Sequence, residues 1–202
     1  MKLLNDFNAI VISGLWNSHI FNKDWVAKYI FPGKDLQIEI PLNTNASQRI
    51  STDDIRVFVI GNQLNISPIN TNTDVLNDIQ DISFKIADYL PHTPVTAFGV
   101  NFLYEEEKTK VIDNILISPD KENIQNCDYI LKSTLFKHSF SIEDSTLNLT
   151  IDSVDTNKIR FNFNFHYNIN TLIEIKDKLT SHSIIKLKNV SEKLFNDIYS
   201  KN

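Results

Sequence analysis

The chain has 202 residues, of which 42% are hydrophobic and 22% charged, with a formal net charge of -5. That length suits one large domain or two small ones packed together, and the composition suits a buried core rather than global disorder. The acid excess argues against a broad basic surface for nucleic acid, and the single cysteine, Cys127, excludes an intrachain disulfide and an all-cysteine metal site.

Residues 7–15 alternate, with Ile10 and Ile12 on one side and Phe7, Ala9 and Val11 on the other, which predicts a strand covered on both faces. Residues 22–31 predict a short helix, with Trp25 and Tyr29, then Val26 and Ile30, at i, i+4 spacing and Pro32-Gly33 as the stop. Leu36, Ile38 and Ile40 alternate with Gln37 and Glu39 as in a half-buried strand, and residues 43–52 read as a polar loop. Residues 55–60 and 64–69 flank Gly61-Asn62, a pair suited to a tight hairpin because both residues accept positive φ. Thr73 or Asp74 caps a helix whose stripe is Val75, Leu76, Ile79, Ile82, Ile86, Tyr89 and Leu90, ended by Pro91. A strand follows over residues 95–104, leaving Glu105-Glu106-Glu107-Lys108 as a solvated strand exit, and residues 110–126 suggest a short helix and a loop.

In the second half, residues 129–142 and Leu147, Leu149 and Ile151 form two strands. A third sets Ile159, Phe161, Phe163, Phe165 and Tyr167 against Arg160, Asn162, Asn164 and His166. Helices over 171–179 and 190–199 close the chain. The expected fold class is α+β: two antiparallel-sheet lobes of strand-strand-strand-helix type, at 1–105 and 127–202 and joined by 106–126. Tandem duplication sharing one core would explain the common order.

The chemistry-bearing motifs are mostly missing. No segment matches a Walker A loop, a dinucleotide glycine fingerprint, a nucleophile elbow or a zinc-protease helix, and the four glycines are far apart. No cofactor or metal is expected. His19, His92, His138, His166 and His182 include no pair within five residues. His138 and His166 could face one another across neighbouring strands and recruit a carboxylate, the simpler reading being that both point to solvent. Asp53-Asp54 with Glu39 fits loop solubility and capping better than a two-metal nuclease, since no lysine follows Glu39 at the required place. Cys127 has no neighbouring base to lower its pKa, and Asp152 and Asp155 flank a turn. The aromatics Phe161, Phe163, Phe165 and Tyr167 share one parity, which favours core; exposed, they would be a stacking platform or a subunit interface.

Four stretches carry a resemblance: NQLNIS (62–67), PVTAFGVNFLYE (94–105), IRFNFNFHYNI (159–169) and VSEKLFNDIY (190–199). Together with the helix between the first two, they resemble a sporadically distributed, uncharacterised prokaryotic family. Around the first motif the chain has Asn101-Phe102 and Tyr104, and it departs from the family elsewhere. The resemblance implies a two-lobed α+β fold and no site residues.

The function expected is a non-enzymatic protein-interaction or regulatory accessory subunit of a microbial or phage-related system, bound to its own copies or to an operon partner. Abundant Asn, Ile and Lys suggest an A+T-rich genome. A small metal-dependent hydrolase or nuclease, with a site assembled from distant residues, and a chaperone-like binder of extended polypeptide are the alternatives. No apolar run approaches the roughly 20 residues that cross a bilayer, and residues 1–6 lack a signal peptide's apolar core, so a cytoplasmic location is expected.

Overall fold

The computed structural model describes residues 1–40, 48–108, 134–153, 157–181 and 183–200, together with 112, 116, 123 and 126. In chain order the elements are β1 (Lys2–Leu3), β2 (Ile10–Gly14), α1 (Lys23–Trp25) running into a π-helical turn (Val26–Ile30), β3 (Gln37–Glu39), β4 (Arg49–Ser51), β5 (Ile55–Ile60), β6 (Gln63–Pro68), α2 (Thr73–Tyr89), β7 (Val95–Glu107), β8 (Leu135–Ile142), β9 (Ser145–Ser153), β10 (Lys158–Asn168), α3 (Glu174–Ser181) and α4 (Ile184–Tyr199).

The strands form one ten-stranded sheet in the order β3-β4-β5-β6-β2-β7-β10-β9-β8, with β1 beside β7. Every pairing is antiparallel. Strand β7 is the hub. Along one edge it takes β2 and then β1, and along the other it pairs with β10 from Ala97↔Asn168 to Glu107↔Lys158. The expected lobes therefore meet through backbone hydrogen bonds, and one hydrophobic cluster runs from Phe7 to Tyr199. Of the expected connecting segment, residues 106–108, 112, 116, 123 and 126 are described.

Period-two alternation gives this sheet two unlike faces. Cross-strand partners share a face, so Leu149, Phe163 and Phe102 form one buried row, and Ile66, Ile10 and Val100 another. Helix α4 lies over this face through Phe195 and Tyr199, which contact Phe161 at 4.9 and 5.2 Å between ring centroids. Helix α2 buries Val75, Leu76, Ile79, Ile82 and Ile86 in the same core. It holds its neighbours by polar links: Gln80 Oε1 accepts from Ile184 N at 3.0 Å, and Asp88 pairs with Lys176 at 2.6 Å. The opposite face carries rows of polar side chains, Asn101, Asn148 and Asn164 among them.

Several local expectations change. The α2 cap is Asn72, whose Oδ1 accepts from Val75 N at 2.9 Å, rather than Thr73 or Asp74. Tyr89 leaves the α2 stripe and is 51% exposed. In the hairpin only Gly61 takes positive φ (57°), the pattern of a type II′ turn. The acidic run is not a solvated exit: Glu105, Glu106 and Glu107 all lie in β7. There Glu105 pairs with Lys158 at 2.7 Å, and Glu106 with the amino group of Met1. Strand β3 is an exposed edge rather than half-buried, and β4 lies inside the expected loop. Helix α4 starts at Ile184, six residues before the expected 190, where Ser183 Oγ accepts from Lys186 N.

Candidate functional site

An apolar concavity is built where β2 ends and β7 begins. Gly14 closes β2 at a register shift, and a Cβ there would lie 2.5 Å from the Pro94 carbonyl oxygen. Only glycine lets the two segments approach so closely. Leu15 N then donates to Pro94 O at 2.8 Å, which fixes the loop after β2 beside the loop after α2. Each loop is also pinned internally. Asn17 Oδ1 accepts from His19 N at 3.1 Å, Asn22 Nδ2 donates to His19 O at 3.0 Å, and Thr93 N donates to Leu90 O at 3.0 Å.

Between the loops lies a cleft of about 390 Å³ lined by Leu15, Trp16, Phe21, Tyr89, His92 and Pro94 among others. Its aromatic wall continues outward ring by ring. Trp16–Phe21 centroids are 5.7 Å apart, Phe21–Trp25 5.2 Å, Trp25–Tyr29 5.4 Å and Tyr29–Tyr89 4.7 Å. Lys28 Nζ sits 4.9 Å from the Tyr29 ring centre, within cation–π range. Both tryptophans of the chain belong to this wall. Trp16 Nε1 donates to Ile12 O at 2.9 Å, so the indole is held edge-in with its polar atom satisfied. The π-helical turn Val26–Ile30 continues α1 directly from Trp25; such turns are rare and concentrate at functional sites. Leu15 is 74% exposed and Tyr89 51%, so apolar surface faces water at the mouth.

The residues singled out by sequence go elsewhere. Phe161, Phe163, Phe165 and Tyr167 are all buried, each against aromatic partners: Phe163 against Tyr104 at 5.8 Å, Phe165 against Phe102 at 6.2 Å, and Tyr167 stacked on Phe98 at 4.6 Å. Helices cover this face, so it offers no platform to a partner. Burial pushes the Tyr167 phenol up to about 12, Ser145 opposing the shift and Asp144 and Glu143 adding to it. Burial, and then the charge and hydrogen bond of Glu192, push the Tyr104 phenol far above its ordinary range.

His138 and His166 do not face one another. They lie on β8 and β10 with β9 between, His138 opposite Leu149 and His166 opposite Thr146. Leu149 belongs to the buried face, as Phe163 beside it does, whereas His166 alternates with the buried Phe165 and Tyr167. The two imidazoles thus leave opposite sides of the sheet and cannot share a substrate or an ion. His138 has the Phe140 ring 6.3 Å away, and His166 Nε2 is 3.2 Å from Asn168 Oδ1.

Glu39 is drawn to Arg49 and Arg56 at 3.6 and 3.3 Å, while Asp53 and Asp54 take amide partners, Gln37 and Asn70. Among the described residues no group of three or more His, Cys, Asp or Glu side chains could hold a metal ion. No described helix is long and apolar enough to cross a membrane. Cys127, Asp155 and His182 lie outside the described residues.

Sequence reasoning missed the cleft because its walls come from residues 15–21 and 89–94, brought together only by the β2–β7 pairing. One signal was there to find: Trp16, Phe21, Trp25, Tyr29 and Phe31 crowd five aromatics into a short stretch. The chain matches no family model, no curated protein and no solved structure.

Proposed function

We propose that the chain is a cytoplasmic, non-enzymatic interaction protein, an accessory or regulatory subunit of a microbial or phage-related system, that grips a protein partner in the aromatic cleft. The observation that carries this reading is the exposure of Leu15 and Tyr89 at the mouth of a cleft walled by Trp16 and Phe21. Interfaces draw their energy from a few Trp and Tyr anchors set in preformed pockets. The cleft's fixed loops mean that little side-chain freedom is lost when a partner seats.

The meander β3-β4-β5-β6 followed by α2, and the meander β8-β9-β10 followed by α3 and α4, flank β2 and β7 in the sheet order, each with its last strand against the central pair. That arrangement supports reading the chain as a tandem duplication whose halves fused into one sheet. The likeness to the sporadically distributed prokaryotic family fits the same picture.

The test is affinity capture from a lysate of the source cells with the native protein, Leu15→Asp and Tyr89→Ala side by side. A protein retained by the native chain and lost from both variants supports the cleft, and the purified pair should then shift tryptophan emission. A set of retained proteins that is the same for all three baits, or empty, overturns it. Light scattering over a range of concentrations shows whether that partner is a second copy.

A further inference from the structure

The sheet face opposite the described helices carries a second, chemically different concavity, of about 410 Å³, whose lining includes Asp6, Asn8, Val11, Asn101, Leu103 and Asn162. Its rim is fixed by a ladder of side-chain amides across the strands. Ser139 Oγ donates to Asn148 Oδ1 at 2.8 Å, Asn148 Nδ2 to Asn164 Oδ1 at 3.3 Å, and Asn164 Nδ2 to Asn101 Oδ1 at 2.7 Å. Asn101 Nδ2 then donates to Asn8 O at 2.7 Å, and Asn8 Oδ1 accepts from Ser67 Oγ at 2.9 Å. Backbone pairing alone sets three of these residues in line, Asn101↔Asn164 and Asn164↔Asn148. Gly99 makes room for the row, since a Cβ there would stand 2.6 Å from Asn164 Nδ2.

With Asn8 and Asn101 locked this way, the groups left facing the concavity are specific. Among the described hydrogen bonds none uses Asn8 Nδ2 or either polar atom of the Asn162 side chain, and Asp6 uses one carboxylate oxygen, on Arg56 at 2.6 Å. Arg56 offsets the Asp6 charge, and among the described residues no other ionisable side chain lines the space. Donors (two amide NH₂ groups) and acceptors (an amide and a carboxylate oxygen) therefore stand side by side over an apolar floor of Val11 and Leu103. A hydroxyl group both donates and accepts, so a ring bearing several hydroxyls answers this pattern, its C–H face lying on the floor. A free anion or cation does not, because the site is close to neutral.

We propose that this concavity binds a neutral pyranose unit, a saccharide, on the face opposite the described helices. The site is independent of the aromatic cleft and stands or falls separately from it. Its volume lies within the range of ligand sites, and its rigid amides are pre-organised for hydrogen bonding.

The test is ligand-observed NMR of the full chain against glucose, galactose, mannose, N-acetylglucosamine and their short oligomers, with glucuronate as the charged control. At least one neutral sugar is expected to receive saturation from the protein, and Asn162→Ala, at an exposed position, is expected to weaken it about tenfold, the loss of two hydrogen bonds. Glucuronate is expected to bind more weakly than glucose, since its carboxylate approaches Asp6. Contact with the monomers identifies a free sugar, and contact with the oligomers alone identifies a glycan chain. Silence from every neutral sugar, or binding untouched in Asn162→Ala while tryptophan emission shows the variant folded, overturns the proposal.

Discussion

On one face of β10, Phe161, Phe163, Phe165 and Tyr167 are sealed under helices; on the other, Asn162, Asn164 and His166 stand in a half-open row of amides and an imidazole. The residues alternate within one strand, so backbone geometry is common to both sets. What differs is the neighbour. The aromatic set meets Phe98, Phe102 and Tyr104 of β7 and then α4, and is held by apolar burial. On the amide side, Asn164 meets Asn101 and Asn148 through hydrogen bonds that water could replace. One face therefore carries the stability, and the other is free to carry binding.

That contrast can be broken from either side. Phe163→Ala should cost about 3 to 5 kcal/mol in urea unfolding, because it leaves a ring-sized cavity in a fully buried row. A loss near 1 kcal/mol would mean that the row is not close-packed. The same face should fail at high pH. An unfolded phenol ionises near its ordinary 10.0, whereas the buried Tyr167 resists until about 12. Its folded value is raised, so its contribution is complete below pH 10 and is lost as pH rises from 10 to 12, on the order of 2 kcal/mol. Tyr104 extends the loss further. Tyr167→Phe should flatten the fall in denaturation midpoint between pH 10 and 12, and an unchanged fall would assign it to other groups.

On the amide face, Gly99→Ala forces its methyl group onto Asn164 and should cost about 1 to 2 kcal/mol. In an Asn164→Ala background the same substitution should cost less, since the atom it strikes is gone. Equal costs in the two backgrounds would show that the ladder does not need the glycine. Smallest of all, Leu15→Asp should change stability by less than about 0.5 kcal/mol, because that side chain is mostly in water.

The sequence made the strongly periodic pieces legible. The α2 stripe, the β5–β6 hairpin around Gly61, and β10 with its alternating Phe and Asn all lie close to where pattern placed them. Local pattern could not show what depends on distant partners. Strand β4 is three residues of a polar stretch and exists because Ile50 pairs with Val57 and Ile38. The acidic end of β7 reads as a loop until Lys158 and Arg160 are placed beside it. Likewise, β10 announces a polar face, but the ladder needs Asn101 and Asn148 from two other strands, and the aromatic cleft needs Gly14 against Pro94.

The most direct test of the aromatic cleft is photo-crosslinking in the source cells, with a photoreactive phenylalanine analogue at Leu15 and, as control, at Ile60, which is 49% exposed in the β5–β6 turn region. A discrete protein adduct from position 15 and none from position 60 is the predicted result. The same adducts from both positions, or none from position 15, would contradict it.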